Sequence, residues 1–295
     1  MAKYVKRAAT KELSVALALG GGGARGLAHI AMLEAFDEMR LRPVAIAGTS
    51  IGAIIGAAYA AGVPAARLRA HALLSLRNRT KVFGSIFEAR VGRFGDLFAR
   101  GNPMLLDGER LLDRFWPEEV PDTFEDLAIP FVAIATDYYG RGAVAFSSGS
   151  LVSAVAASMA LPGLVRPVGI GGRLLIDGGA ANPLPCDIIT GKADLVVAVD
   201  VTAPPSVEEA RAPDAFSTLF AAAQIMQAEI VKAKMKTRPP DILVRPDVDG
   251  FGALDFFKAG RILEAAEPAK AKLKEELGAR LDYARLGAPK VTINR

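Results

Sequence analysis

Leu13-Ser14-Val15-Ala16-Leu17-Ala18-Leu19-Gly20-Gly21-Gly22-Gly23-Ala24-Arg25-Gly26 decides how the chain is read. An apolar run of strand length over 13–19 ends in four glycines. From Arg25 to Arg40 the apolar residues Leu27, Ile30, Leu33, Phe36 and Met39 then fall at helical spacing. A buried strand, a glycine turn and an amphipathic helix in that order form the first βα unit of an open α/β sheet. Basic residues precede the apolar run, as in an export signal. Lys11 and Glu12 border it, however, and no small-residue cleavage site follows, so the reading is a strand and not a leader.

The same alternation continues outward. Residues 44–47 read as a second strand, 51–61 as a helix of small residues and 65–76 as another helix. Strands follow at 129–135 and 143–146, then a helix at 151–159 and strands at 174–176 and 195–200. Beyond Pro204-Pro205 come a helix near 214–236, a strand at 242–244 and a helix near 254–264. Residues 269–285 are charged and amphipathic, a surface helix. Strands alternating with helices predict a parallel, doubly wound sheet covered on both faces. Residues 77–128 are richer in Arg, Gly and Phe and lack periodicity, which predicts an irregular, lid-like insertion. The expected organisation is one domain over 13–265 with a helix and tail over 266–295.

With 51% hydrophobic and 23% charged residues in 295, the chain has the composition of a globular protein with a sizeable core, which excludes a disordered or collagen-like chain. Its single cysteine, Cys186, excludes an internal disulfide framework and suits a reducing compartment. A net charge of +4 is too mild to argue for nucleic acid. Two charge-free stretches, 44–64 and 143–165, have the length of a membrane span, and Gly52 and Gly56 even supply a GxxxG spacing. The first carries Gly48-Thr49-Ser50 in its middle and the second is interrupted by serines and Pro162. Both therefore read as buried strand–turn–helix units.

Gly21, Gly23 and Gly26 satisfy G-x-G-x-x-G in the correct strand–turn–helix context. A dinucleotide site also needs an acidic residue about twenty positions on, at the end of the second strand. That strand ends in Gly48-Thr49-Ser50, and Glu34, Asp37 and Glu38 lie inside the first helix, so an oxidoreductase reading fails. No Gly-Lys-Ser/Thr follows at Walker spacing either. What remains is a loop, Gly21-Gly22-Gly23-Ala24-Arg25-Gly26, whose N–H groups face an anion beside a helix start. The oxyanion of an acyl-transfer intermediate is one such anion.

Gly48-Thr49-Ser50-Ile51-Gly52 has the form of a G-x-S-x-G nucleophile elbow, with glycine where a side chain would clash in so tight a turn. Ser50 is the candidate nucleophile and needs a proton acceptor. No histidine lies beyond His71, so the Ser–acid–His order of the α/β-hydrolases is impossible here. His29 reads as a packing or hydrogen-bonding helix residue and His71 as a surface or lining residue. A carboxylate remains, and the best placed is Asp177 in Leu174-Leu175-Ile176-Asp177-Gly178-Gly179, at the end of a buried strand where open α/β sheets bind ligands. Gly178 and Gly179 let the backbone turn sharply behind it. Two isolated histidines and one cysteine cannot build a zinc site and no calcium loop appears, so neither metal nor cofactor is expected.

The order GGGARG (Gly21–Gly26), GTSIG (Gly48–Gly52) and DGG (Asp177–Gly179) resembles the patatin-like phospholipases, especially the short bacterial members. Thr136-Asp137, the segment from Ala157 to Gly163, Asn182 and Pro183 are similar to the family's connecting segments, and the likeness runs from about 13 to 200 and more loosely to 264. The resemblance implies a three-layer α/β/α sandwich around a mostly parallel sheet. It also implies hydrolysis of acyl esters of lipids by a Ser50–Asp177 dyad, with an oxyanion hole from the glycine loop near Gly22, Gly23 and Ala24. Arg25 would position the loop or face an anionic head group. The substrate would be a phospholipid or other acyl ester. An acyltransferase or thioesterase would need the same residues, and a non-catalytic lipid- or acyl-binding regulator is the alternative of a different class.

Arg67, Arg69, Arg77, Arg79, Lys81, Arg90, Arg93 and Arg100 stand against only Glu88 and Asp96, interleaved with Val82, Phe83, Ile86, Phe87, Phe94 and Phe98. That pattern over 67–100 suits an anionic membrane surface, the alternative being a solvated segment paired to acids elsewhere. The expected protein is cytoplasmic, peripheral at the inner membrane surface, without a nucleic-acid partner. Its oligomeric state is open.

Overall fold

The computed structural model describes residues 13–77, 82, 84, 106–203 and 215–285. Its strands are β1 (Val15–Leu19), β2 (Ala45–Thr49), β3 (Phe131–Asp137), β4 (Gly142–Phe146), β5 (Val168–Ile170), β6 (Arg173–Asp177), β7 (Leu195–Val199) and β8 (Ile242–Val244). Its helices are α1 (Ala28–Glu38), α2 (Ile51–Ala60), α3 (Ala65–Arg77), α4 (Gly108–Phe115), α5 (Leu151–Ser158), α6 (Cys186–Ile189), α7 (Ala215–Thr237), α8 (Ala259–Ala265) and α9 (Glu267–Arg285). A short 3-10 turn, Gly23–Leu27, joins the glycine loop to α1.

The strands form one sheet in the order β5-β6-β3-β2-β1-β7-β8, with β4 also on β3. From β3 to β8 the neighbours are parallel, as expected of strand–helix alternation. The sheet is mostly parallel, as expected, and turns antiparallel at the other end: β4 and β6 run antiparallel to β3, and β5 antiparallel to β6. For the β3–β4 and β5–β6 pairs the physical reason is the connection length. Four residues join β3 to β4 and two join β5 to β6, far too few for the crossover that a parallel neighbour requires.

Pleating sorts the β1 side chains between the two faces. Val15, Leu17 and Leu19 join α1, α2, α3, α8 and α9 in the larger core. Ala16 and Ala18 face the other way, with Ala45, Ala47 and Ala198, toward Cys186 and Ile189 of α6 and Val231 of α7. Helices on both faces make three layers, α/β/α. The second face carries several alanines, so its helices approach the strands closely. The C-terminal α9 buries Leu273 and Leu277 in the larger core, and its Lys270 reaches Glu34 and Glu38 of α1 at 3.0 and 2.6 Å.

Within 77–128, residues 78–81, 83 and 85–105 lie outside the described residues. The remainder is less irregular than expected. Asp107 caps α4 by accepting from the N–H groups of Glu109 and Arg110, at 3.1 and 3.2 Å. Both charge-free stretches are strand-and-helix units, β2–α2 and β4–α5, and among the described residues no helix is long and apolar enough to cross a membrane.

Candidate active site

Ser50 sits between β2 and α2 with φ 55° and ψ −121°, a left-handed conformation that costs a non-glycine residue on the order of 1–3 kcal/mol. Its two flanking glycines leave no room for a side chain. A Cβ on Gly48 would lie 2.4 Å from the Gly52 carbonyl oxygen, and one on Gly52 would lie 2.2 Å from that of Leu19. Helix α2 therefore starts hard against the ends of β1 and β2 and presses the serine outward. Its Oγ donates to Asp177 Oδ2 at 2.6 Å.

Asp177 reaches Ser50 by a route different from the one expected. Strand β4 occupies one edge of β3 over Ala133–Asp137, so β2 and β6 must share the other edge. There Thr49 pairs with Ile134 while Asp177 pairs with Ala135. Running in opposite directions, the two strands meet end to end at adjacent residues of β3. The carboxylate thus abuts the elbow as the end of an antiparallel strand, not as a neighbour along the C-terminal edge of a parallel sheet.

The Asp177 backbone is held on both sides: its N–H donates to the Ala160 carbonyl at 2.9 Å, and its carbonyl accepts from Thr136 Oγ1 at 2.9 Å. Oδ1 accepts from the Gly179 N–H at 2.7 Å. The residue is 4% exposed, and burial pushes its carboxyl up to about 6, against the pull of the Ser50 and Gly179 hydrogen bonds. A carboxylate of raised basicity, bonded to an exposed-rotor hydroxyl, is suited to accept that hydroxyl's proton.

The glycine loop lies alongside. Gly23 has φ 62°, and a Cβ there would lie 2.2 Å from the Ala253 carbonyl oxygen. The Gly21 N–H is committed to the Pro183 carbonyl at 2.9 Å, and that of Ala24 to the Ala253 carbonyl at 2.7 Å. Ala24 is thereby withdrawn from the free donors, a correction to the expected set. The N–H groups of Gly22 and Gly23 carry no hydrogen bond among the described residues, and Gly21, Gly22 and Gly23 border the same cavity as Ser50 and Asp177. Gly26 packs against Ile51 at the start of α2.

Arg25 is 2% exposed and points into the protein. Its guanidinium donates to the carbonyls of Gly22 at 3.3 Å and Ala203 at 3.0 Å, and to Gln224 Oε1 of α7 at 2.5 Å. It ties the loop to α7. His29 is fully buried beneath the loop, its Nε2 2.8 Å from the Gly20 carbonyl. Burial lowers it to about 4, so it is neutral and Nε2 carries the hydrogen. His71 borders the cavity with Nε2 2.8 Å from the Phe115 carbonyl. Neither histidine is bonded to Ser50.

Ser158, at the end of α5, was not singled out from the sequence as a site residue. Its Oγ accepts from the Ser50 N–H at 2.9 Å and donates to the Ile134 carbonyl at 2.5 Å, fixing the peptide of the strained residue to β3. Thr49 Oγ1 donates to the Asn182 carbonyl at 2.9 Å, and Asn182 is clamped through its side chain by Lys234 of α7 and by Asp187. A second tether therefore runs from the elbow through the DGG turn to α7.

Ser50 and Asp177 open onto a cavity of about 540 Å³. Its walls are overwhelmingly apolar, with Ile51 and Ile55 of α2, Leu68 of α3, Leu112 and Phe115 of α4, and Leu164 among them. Val82, expected to face lipid, is instead buried and borders this cavity. Arg67 and Arg69 are paired, with Glu119 and with Glu34 and Glu267, which reduces the free charge of the 67–100 segment. Most of that segment lies outside the described residues.

An elbow serine with a carboxylate partner beside a glycine loop, on a three-layer α/β/α sandwich, defines the class of fold. The sequence profile of the patatin-like phospholipases matches residues 17–190, and the chain belongs to that family. An uncharacterised NTE family protein of Mycobacterium tuberculosis is 40% identical over 190 residues, covering 63% of this chain and 49% of its own. The lysophospholipase nte1 of Aspergillus fumigatus is 27% identical over 293 residues, covering 90% of this chain and 18% of its own. The chain thus spans half or less of the length of these relatives. Among solved structures, VipD from Legionella pneumophila aligns with a TM-score of 0.48 at 15% identity, covering 90% of this chain and 67% of that one.

Proposed function

We propose that the chain hydrolyses acyl esters of lipids, with Ser50 as nucleophile and Asp177 as its general base. The observation that carries this reading is the 2.6 Å bond between the Ser50 hydroxyl and a buried carboxylate, at the mouth of an apolar cavity large enough for a long acyl chain. Asp177 takes the hydroxyl proton as Ser50 Oγ attacks the ester carbonyl. It then returns that proton to the leaving alcohol. Water, activated by the same carboxylate, resolves the acyl-enzyme. The free N–H groups of Gly22 and Gly23 are the donors assigned to the developing oxyanion, each contributing about 3 kcal/mol if they behave as such donors do elsewhere.

The apolar walls favour a substrate with a long aliphatic chain, and the lysophospholipase relative supports a glycerophospholipid as its source. The test is the intact mass after treatment with a fluorophosphonate. A single adduct on the wild type and none on Ser50→Ala is the expected result, followed by fatty-acid release from lysophospholipid and diacyl phospholipid. An unlabelled but folded wild type, in the presence and absence of liposomes, would leave a lipid-binding protein without esterase chemistry.

A further inference from the structure

Helix α7 is apolar on both of its sides: Val231 enters the core and Met235 packs against it, while Ala223 borders the cavity. Phe220, Gln224 and Gln227, at positions i, i+4 and i+7, border the cavity, so two amides point inward. The opposite side carries Leu219, Ile225 and Met226, exposed to 71%, 49% and 60%. A surface helix of a globular protein ordinarily turns its apolar stripe to the core. Farther along the same outer side stand the exposed Lys232, paired with Glu229 at 3.1 Å, and Lys236.

This exposure is not isolated. Among the described residues ten large hydrophobic side chains stand exposed, and six of them belong to three segments that also wall the cavity. Leu73 and Leu74 project from α3, whose Leu68, Ala72 and Leu76 face inward. Leu254 is both half-exposed and part of the cavity wall, so it stands on the rim. Leu219, Ile225 and Met226 complete the set. Exposed apolar groups gathered around one opening mark a surface that meets an apolar phase.

We propose that this rim, led by the outer side of α7, is the face that docks on a phospholipid bilayer. The inference rests on the lipid-ester reading of the site. A substrate held in a bilayer has to pass from lipid into the cavity, and here Leu254 belongs both to the exposed surface and to the cavity wall. Lys236, at the C-terminal end of α7, complements lipid phosphates and adds to attraction by an anionic leaflet. This surface is separate in sequence from the basic–aromatic stretch first suspected of membrane contact, apart from Leu73 and Leu74 of α3.

The test uses sucrose-loaded vesicles of phosphatidylcholine with phosphatidylglycerol, pelleted with the full chain. Wild type should pellet, and Ile225→Glu/Met226→Glu should lower the partition coefficient about tenfold or more, since two apolar side chains no longer enter lipid. Ile225→Trp, which keeps the side apolar, should bind at least as well, and Val44→Glu, at the far end of β2, should bind like wild type. Hydrolysis of a water-soluble short-chain ester and fluorophosphonate labelling should be the same in all four proteins. Undiminished pelleting of the double glutamate variant would overturn the proposal. So would a wild-type dimer that this variant dissociates without loss of vesicle binding, which would make the occupant a second copy. Vesicle binding that depends on α7 in a protein that is not labelled would refute the esterase reading and leave the docking face standing.

Discussion

The two turns that present Ser50 and Asp177 are built in opposite ways. The elbow is a local device: a serine forced to φ 55° between two glycines, each filled by backbone within 2.4 Å of where a Cβ would stand. The aspartate turn carries no such strain. Asp177 has φ −46° and is held from two other places, by Thr136 and Ala160, and within its own turn by Gly179. The hydroxyl is therefore aimed by its own turn, with Ser158 and Asn182 tethering that turn from outside, and the carboxylate by the collision of β6 with β2 along β3. Strain is stored in one partner and desolvation in the other.

The widest contrast is in chemistry. Ser50→Ala should reduce ester hydrolysis to background, a loss of about a million-fold, whereas Asp177→Asn should cost about 10⁴-fold and leave slow turnover. Ester assays on the two purified variants check this, and equal residual rates would remove the distinction between nucleophile and base.

Next in size is Ser158→Ala. Deleting the acceptor of the Ser50 N–H should lower kcat about 10–100-fold with KM nearly unchanged, because the cavity walls stay in place while the elbow peptide loosens. A change confined to KM would mean that Ser158 acts on the cavity and not on the elbow.

With Asp177 near 6, kcat/KM should rise about tenfold per pH unit below that value and level off above it. A plateau extending down to pH 4 would contradict a buried base.

The same shift acts on stability. The folded state holds the Asp177 proton more tightly than the unfolded chain, so the contribution is fully present below the ordinary value of 3.8. It is lost as pH rises through about 6, and above that the buried charge costs roughly 3 kcal/mol. Asp177→Asn should therefore melt several degrees above wild type at pH 8, with the gap closing toward pH 4.

The smallest effect isolates the strain. Ser50→Gly should be more stable than Ser50→Ala by about 1 kcal/mol, since only glycine adopts that φ without penalty. Denaturant midpoints of the two variants decide it.

Much of this was legible in the sequence. The elbow and the glycine loop are sequence-local: glycines at fixed spacing between an apolar run and a helix have few other uses, and the scarcity of histidine left a carboxylate as the candidate base. Asp177 was found for a reason that was half correct. It does end a strand beside Ser50, but the direction of that strand could not be read from a five-residue segment whose partner lies forty positions away. Helix α4 did leave a trace, an Asp107 cap ahead of Leu111, Leu112 and Phe115, that a search for long periodic runs passed over. Ser158 left none, because a hydroxyl that binds a peptide N–H 108 residues away looks like any other helix serine.

The sequence by itself determined the α/β class, the two faces of the sheet and the place of the elbow turn at Ser50, all consequences of short-range periodicity and steric demand. Only the tertiary structure decided that β2 and β6 meet end to end, that Arg25 turns inward to α7, that Ala24 is spent on Ala253 and that Leu219, Ile225 and Met226 of α7 stand exposed. Those outcomes depend on which distant segments come to share an edge or a cavity wall. Pairing and burial between segments far apart in the chain are settled by the packing of the whole core, and leave no periodic signature in any one of them.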